Sequence, residues 1–389
     1  MLMLNFLEDT GTKKHNPVDW KGGDMAKEKI KYYSLSQIQE RKCTYNMIFG
    51  ERSNGKTYAV LEYALKEYCK TGKQLALVRR WMEDFRQKRG AQMFANHVSN
   101  GLVKKYSNGE WDDVYYYSGR WYLCKFDEQL KKRVTDVKPF AYGFTLNAME
   151  HDKSTGYPDI TTICFDEFLT RTAYLPDEFV LFMNVVSTIV RQRRDVTIYM
   201  LGNTVNRYCP YFAEMGLTNI NKMKPGDIDV YQYGESELRV AVEYADMPAK
   251  KKPSDFYFAF DNQKLKMITS GAWEIDIYPH KPCEFTRKNI IFEYFIVFGE
   301  EIMHCEIVSI NDLVFTYIHR KTTELKDTDN DLIYSLEYNP RPNWHRNIAK
   351  PKNDLQRNIY DFFLRDKVFY QDNECGEVVR NYIMTVQNS

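Results

Sequence analysis

Eight consecutive residues, Gly50-Glu51-Arg52-Ser53-Asn54-Gly55-Lys56-Thr57, satisfy the pattern G-x-x-x-x-G-K-S/T. The chemistry such a segment can do is phosphate binding. Its glycines let the backbone turn tightly, and successive N–H groups with a following helix N-terminus form an anion cradle. Within that cradle Lys56 would bring its charge to the β- and γ-phosphates, and the Thr57 hydroxyl would take one place on Mg2+. ATP and Mg2+ are the cofactors expected. A glycine turn before an ordinary helix could produce the same letters, and context separates the two: here an apolar run precedes the loop and an amphipathic one follows it.

Binding alone splits nothing; hydrolysis needs a carboxylate to hold magnesium and a base to orient the attacking water. Phe165-Asp166-Glu167 closes an apolar run and supplies both. Asp166 fits the Walker B acid, and Glu167 fits the general base of the P-loop ATPase branch that carries an adjacent glutamate, the ASCE class. Asn203 ends a further apolar run, where it suits either a γ-phosphate sensor or a simple turn. Transition-state charge needs a cation as well, and Arg52, Arg79, Arg80, Lys153, Arg191, Arg193 and Arg194 are candidates among which spacing does not choose.

These side chains must be positioned by strands and helices. TYNMIF (44–49) reads as a strand and 55–70 as a helix whose Val60, Leu61, Ala64 and Leu65 keep helical spacing. Thr71-Gly72-Lys73 stops it, and QLALVRR (74–80) reads as a buried strand. Such alternation builds a parallel sheet. ITTICFDEF (160–168) and VTIYMLGN (196–203) read as two more strands, with a helix over DEFVLFMNVVSTIVRQRR between them. The aromatic and polar alternation within 100–145 reads as an inserted hairpin. Punctuation by Pro225-Gly226, Pro248 and the run Ala249 to Pro253 reads as linker. From 286 a second aromatic-rich region begins, with a hairpin turning at Gly299-Glu300 and two helical segments near the end. The expected organisation is an extension over 1–43, a P-loop ATPase domain over 44–213, a linker region over 214–285 and an α+β domain over 286–389.

At 389 residues, with 43% apolar and 15% aromatic residues, the chain exceeds what one core usually serves. No stretch of about 18 apolar residues is present to span a bilayer, and MLMLNFLEDTG lacks the basic start of a secretory signal, which together lead us to expect a cytoplasmic protein. The eight cysteines include no C-x-x-C pair and no metal-ligand spacing, so they read as reduced thiols. With 54 basic and 53 acidic residues the net charge is +1, and any nucleic-acid contact must come from local patches.

The segments IFGERSNGKTYA, LVRRW, DKSTGYPDITTICFDEF, YLPDEF, STIVRQRR and LGNTVNRYCPYF together resemble, in order and spacing over about 44–213, the DNA-packaging ATPases of the phi-29-like podophages. FDNQ (260–263) and RDKVFYQDNECGEVVRNYI (365–383) extend the resemblance more weakly. It implies a motor that drives double-stranded DNA into a procapsid in the host cytoplasm, working as a homo-oligomeric ring, usually of five, at the portal vertex, and it leaves open a packaging RNA. It also implies that Lys153 and Arg191 act on a neighbouring subunit's nucleotide, Arg191 as the trans finger beside its competitors Arg193 and Arg194. The C-terminal domain it implies is RNase H-like and vestigial as a nuclease, so that Asp276, Glu293, Glu306 and Asp312 would not converge on two metals. The alternative reading of the motifs alone is another P-loop motor, a helicase or single-strand translocase; a third is an assembly switch that binds nucleotide without turnover.

Overall fold

A computed structural model of the chain describes residues 32–147, 156–172, 174–246, 273 and 276–387. The first described element is the short α1 (Ser36–Gln39), whose Ile38 and neighbouring Leu35 are buried under the sheet that follows. β1 (Tyr45–Gly50) is buried along its whole length, as a central strand covered on both faces must be. α2 (Lys56–Thr71) buries Val60, Leu61, Ala64, Leu65 and Tyr68 on one stripe and ends where Gly72 turns left-handed at φ 74°. β2 (Gln74–Arg79) follows, and then three short helices, α3 (Lys88–Gln92), α4 (Ala95–Ser99) and α5 (Leu102–Tyr106).

The aromatic region forms the hairpin of β3 (Asp113–Tyr117) and β4 (Arg120–Asp127), with β5 (Lys132–Thr135) paired to β4. β6 (Ala141–Thr145) then runs parallel to β2 and belongs to the main sheet. The expected insertion is therefore an antiparallel extension of one sheet edge, attached where β4 meets β6. β7 (Ile160–Asp166), α6 (Glu178–Val190) and β8 (Thr197–Asn203) match the two strands and the helix between them that sequence patterning anticipates, and α7 (Pro210–Glu214) follows as a helix that patterning did not mark.

The linker expected over 214–285 differs. β9 (Ile228–Gln232) and β10 (Arg239–Ala245) lie inside it, and β10 pairs in parallel with β1. Pro225-Gly226 is a turn within the domain: the Gly226 N–H donates to Tyr244 O at 2.7 Å, so the punctuation marks a change of element and not of domain. Residues 249–253 and FDNQ fall outside the described residues. The resulting sheet runs β3-β4-β6-β2-β7-β8-β1-β10-β9 with β5 off β4, parallel from β6 to β10 and packed by apolar clusters on both faces.

A second sheet contains β11 (Ile290–Phe298), β12 (Glu301–Ile310), β13 (Leu313–Arg320), β14 (Leu332–Ser335), β15 (Trp344–His345) and β16 (Val368–Tyr370), in the order β15-β14-β11-β12-β13-β16. The first three form an antiparallel meander, and β14 runs parallel to β11. α8 (Asp354–Leu364) and α9 (Asn373–Gln387) accompany it; Val378, Val379, Tyr382 and Val386 of α9 join Tyr294, Ile296 and Cys305 of the sheet in one buried cluster.

Polar bonds tie the two sheets together. Asn206 Nδ2 donates to Asn381 Oδ1 at 2.8 Å. Arg171 Nη2 reaches Asp276 Oδ2 at 2.6 Å and the buried Glu377 Oε2 at 3.0 Å, and Tyr278 OH donates to the same Glu377 oxygen at 2.9 Å. Among the described residues no helix is long and apolar enough to cross a membrane, and all eight cysteines are free thiols.

Candidate nucleotide site

The register of parallel strands assembles this site. Gly50 at the end of β1 is the ladder partner of Asn203 at the end of β8, and one strand further Leu201 faces Asp166 at the end of β7. β8 thus lies between the strand that opens the phosphate loop and the strand that ends in acids. All these ends are carboxyl ends, where an open α/β sheet presents its ligand crevice.

Loop geometry follows from residue type. At Gly50, φ is 155° and a Cβ would lie 2.6 Å from Ala245 O, so only glycine fits between β1 and β10. Ser53 (φ 59°) and Gly55 (φ 94°) are both left-handed, which turns the chain into α2. Gly55 caps α2 with no side-chain bond of its own, and the first helical N–H, that of Lys56, goes to Asn54 Oδ1 at 3.2 Å, so the loop and helix start together present donors where an anion would sit. Glu51, Asn54 and Lys56 are buried, while Arg52 and Ser53 are exposed on the loop. Tyr33 N–H bonds Asn54 O at 3.0 Å, so the segment just before α1 buttresses the loop.

Lys56 Nζ donates to Glu51 O at 2.7 Å and Asn54 Oδ1 at 3.1 Å, and reaches Asn203 Oδ1 at 3.5 Å. Burial lowers its pKa to about 8, against the upward pull of Asp166 and Glu51. Thr57 Oγ1 donates to Asp166 Oδ1 at 2.9 Å, which places the two expected magnesium ligands side by side. Burial raises the Asp166 carboxyl above its ordinary range, while Arg79 and the Thr57 hydroxyl pull it down. Asn54 Nδ2 is buried without a protein partner, a donor left over beside the cradle. The donor set suits a phosphate chain with a divalent cation: backbone N–H groups and an ammonium for anionic oxygens, a hydroxyl and a carboxylate for the metal.

Glu167 follows β7 with φ 65°, a left-handed conformation unusual for a side-chain residue and of the kind that concentrates at functional sites. Its side chain is 63% exposed, so solvent reaches it. Arg79, at the end of β2, grips both acids, with Nη2 2.5 Å from Asp166 Oδ2 and Nη1 2.8 Å from Glu167 Oε2. Arg80 is committed elsewhere: it forms a two-pronged pair with buried Glu178 at 2.7 and 2.8 Å and donates to the Glu167 and Phe168 carbonyls.

The remaining arginine candidates separate by their partners. Arg193 donates to the carbonyls of Tyr157, Pro158, Ile160 and Ile189 at 2.7–3.1 Å and so staples α6 to the entrance of β7. Arg194 meets Glu237 at 2.9 Å with both side chains exposed. Arg191 is exposed and ends α6 with φ 50°. Lys153 lies outside the described residues. Sequence reading missed the clamping role of Arg79, because the acid it grips at the end of β7 lies 87 residues downstream; the basic residue at a strand end was the available signal.

The profile of the Podovirus DNA encapsidation protein (Gp16) family matches residues 27–256, more than half of the chain. The chain belongs to that family. Among relatives of this encapsidation family member, the DNA packaging protein of Bacillus phage B103 is 25% identical over 257 residues, a stretch covering 65% of this chain and 71% of that protein. The DNA packaging protein of Bacillus phage phi29 is 25% identical over 199 residues, so that the match spans 50% of this chain and about half, 53%, of the relative. In fold the chain is similar to a chain of the bacteriophage Phi-29 viral genome packaging motor assembly, with a TM-score of 0.53 and 19% identity over 90% of this chain and 96% of the other. A chain of the Phi-28 DNA packaging motor gives 0.52 and 16% over 92% and 98%. The resemblance drawn from the motifs thus holds for the family.

Proposed function

We propose that this chain is the ATP-hydrolysing subunit of a motor that drives double-stranded viral DNA into a procapsid, acting as a ring at the portal vertex. The observation that carries the reading is the 2.9 Å bond between Thr57 and Asp166 with Glu167 next in the chain, on a member of an encapsidation family. When bound, Mg·ATP supplies an electrophilic γ-phosphorus whose transfer to water releases the free energy for translocation. Gly50 to Thr57 bind the phosphates, Thr57 and Asp166 hold the metal, Glu167 orients and deprotonates water, and Asn203 senses the γ-phosphate end from the neighbouring strand.

Arg191 acts on the next subunit's nucleotide, and Lys153 assists there. Arg191 stands 13 residues along α6 from Glu178, roughly 20 Å at 1.5 Å per residue, whereas Glu178 grips Arg80 beside the chain's own acids. That separation favours action in trans. The C-terminal domain is RNase H-like, supported by the β11-β12-β13 meander with β14 and β15 parallel to β11. It is inactive as a two-metal nuclease: of the four acids only Glu293 and Glu306 come together, as ladder partners, while Asp276 is spent on Arg171 and Asp312 is exposed at a turn. The protein works in the host cytoplasm before it joins the capsid.

The test is DNA packaging itself. Purified chain with empty procapsids and ATP should render duplex DNA nuclease-resistant, and its ATPase should respond to duplex and not to single strands. Single-strand stimulation without protected duplex would establish the helicase or single-strand translocase reading instead.

A further inference from the structure

On the second sheet, β12 alternates between two faces. Met303, Cys305 and Ile307 point into the core shared with α9, so His304 and Glu306 point to the other face. Cross-strand register brings partners to them: His319 of β13 pairs with His304, and Glu293 of β11 pairs with Glu306. The imidazole centroids of His304 and His319 are 4.8 Å apart. One donor atom from each of His304, Glu306 and His319 can be chosen so that all three lie within 4.8 Å of one another.

We propose that His304, Glu306 and His319 bind one divalent transition-metal ion of the zinc type on this face, with Glu293 orienting His304 from behind.

Geometry supports a single tetrahedral ion. Ligands about 2.0–2.1 Å from zinc at tetrahedral angles stand roughly 3.3 Å from one another; Glu306 Oε1 and His319 Nε2 are already 3.7 Å apart. The second ring nitrogen of His319 is engaged, with Nδ1 against Arg320 O at 3.4 Å, which leaves Nε2 for the ion. A carboxylate behind a metal-bound imidazole is the usual way its orientation is fixed, and Glu293 Oε2 lies 2.7 Å from His304 Nε2. The three side chains are only 14–28% exposed, enough for an ion to enter while the sheet keeps them in place.

Ligand type selects the metal class. Two imidazoles favour zinc and its transition-metal neighbours over magnesium or calcium, which prefer all-oxygen sites. Three protein ligands leave a fourth position for water or a phosphate oxygen. Loading would offset the charges of Glu306 and of Glu293, which also has Arg287 3.9 Å away. One ion here is not the ion pair of a nuclease, so this assignment stands apart from the reading of the nucleotide site.

The experiment is a competition of full-length protein against a chromogenic chelator for Zn2+, in excess Mg2+ so that Asp166 and Thr57 do not report. One Zn2+ per chain is expected, absent in His304→Ala and His319→Ala, retained in Lys56→Ala, and weakened about 10- to 100-fold in Glu293→Gln. Co2+-loaded wild type should show ligand-field absorption without a thiolate charge-transfer band, a readout that needs no variant to fold. No metal bound at micromolar free Zn2+, full stoichiometry in both histidine variants, or a thiolate band in the Co2+ spectrum would overturn the assignment.

Discussion

Glu167 Oε2 lies 2.8 Å from Arg79 Nη1, so the carboxylate proposed as the base is held by a cation of its own chain. The same guanidinium neutralises Asp166. Glu167→Gln should therefore keep nucleotide binding, since Arg79 retains Asp166, but lose turnover, which single-turnover hydrolysis of ATP would measure. Hydrolysis within about tenfold of wild type would place the base elsewhere.

Arg79→Ala has a different expected signature. It strips a buried carboxylate of its cation, a change that costs about 3–5 kcal/mol in comparable sites. Thermal and denaturant unfolding should show that loss, whereas Glu167→Gln, altering an exposed partner, should leave stability nearly unchanged.

Lys56 should make triphosphate binding pH-dependent. Its pKa is lowered from 10.5 to about 8, so its charge disappears from the folded protein as pH rises through about 8. Phosphate oxygens favour the charged form, so binding above that pH takes up a proton and affinity falls up to about tenfold per pH unit. Calorimetry in buffers of differing ionisation enthalpy should report that uptake. The stability effect has the opposite sign: between about 8 and 10.5 the unfolded lysine still holds its proton, and Lys56 alone makes stability rise with pH. Affinity flat from neutral pH to above 9 would remove Lys56 from contact with the phosphates.

Three neighbouring arginines should separate in mutagenesis. Arg193→Ala removes the donor for four backbone carbonyls and should cost about 1–3 kcal/mol of stability. Arg194→Ala breaks only an exposed pair and should be nearly silent. Arg191→Ala should fold and bind ATP normally but lose on the order of 10³ in rate once assembled. Activity should return on mixing with Lys56→Ala subunits, because one class of interface then joins an intact loop to an intact finger. No recovery at any ratio would favour action in cis.

What could be read in advance reflects how strands write themselves into sequence. β1, β2, β7 and β8 are buried on both faces and appear as continuous apolar runs, so their ends, and the loop after β1, were legible. β9 and β10 were not: a glycine turn at 226 looks the same inside a domain as between two. The family pattern marked Arg191, but the separate duties of Arg79, Arg80 and Arg193 depend on carbonyls and carboxylates brought near by sheet register. His304 and His319, 15 residues apart, become neighbours only because β12 and β13 pair at that register.

The bonds between the two sheets bear on how the protein can be divided. A fragment beginning near residue 286 would keep Glu377 but lose Arg171 and Tyr278, and would keep Asn381 but lose Asn206. Leaving that buried carboxylate without its main partners costs about 3–5 kcal/mol, a large part of the 5–15 kcal/mol that holds a typical domain folded. The sheets should therefore melt in one calorimetric transition, and a protease should find no boundary at 286 that releases two folded halves.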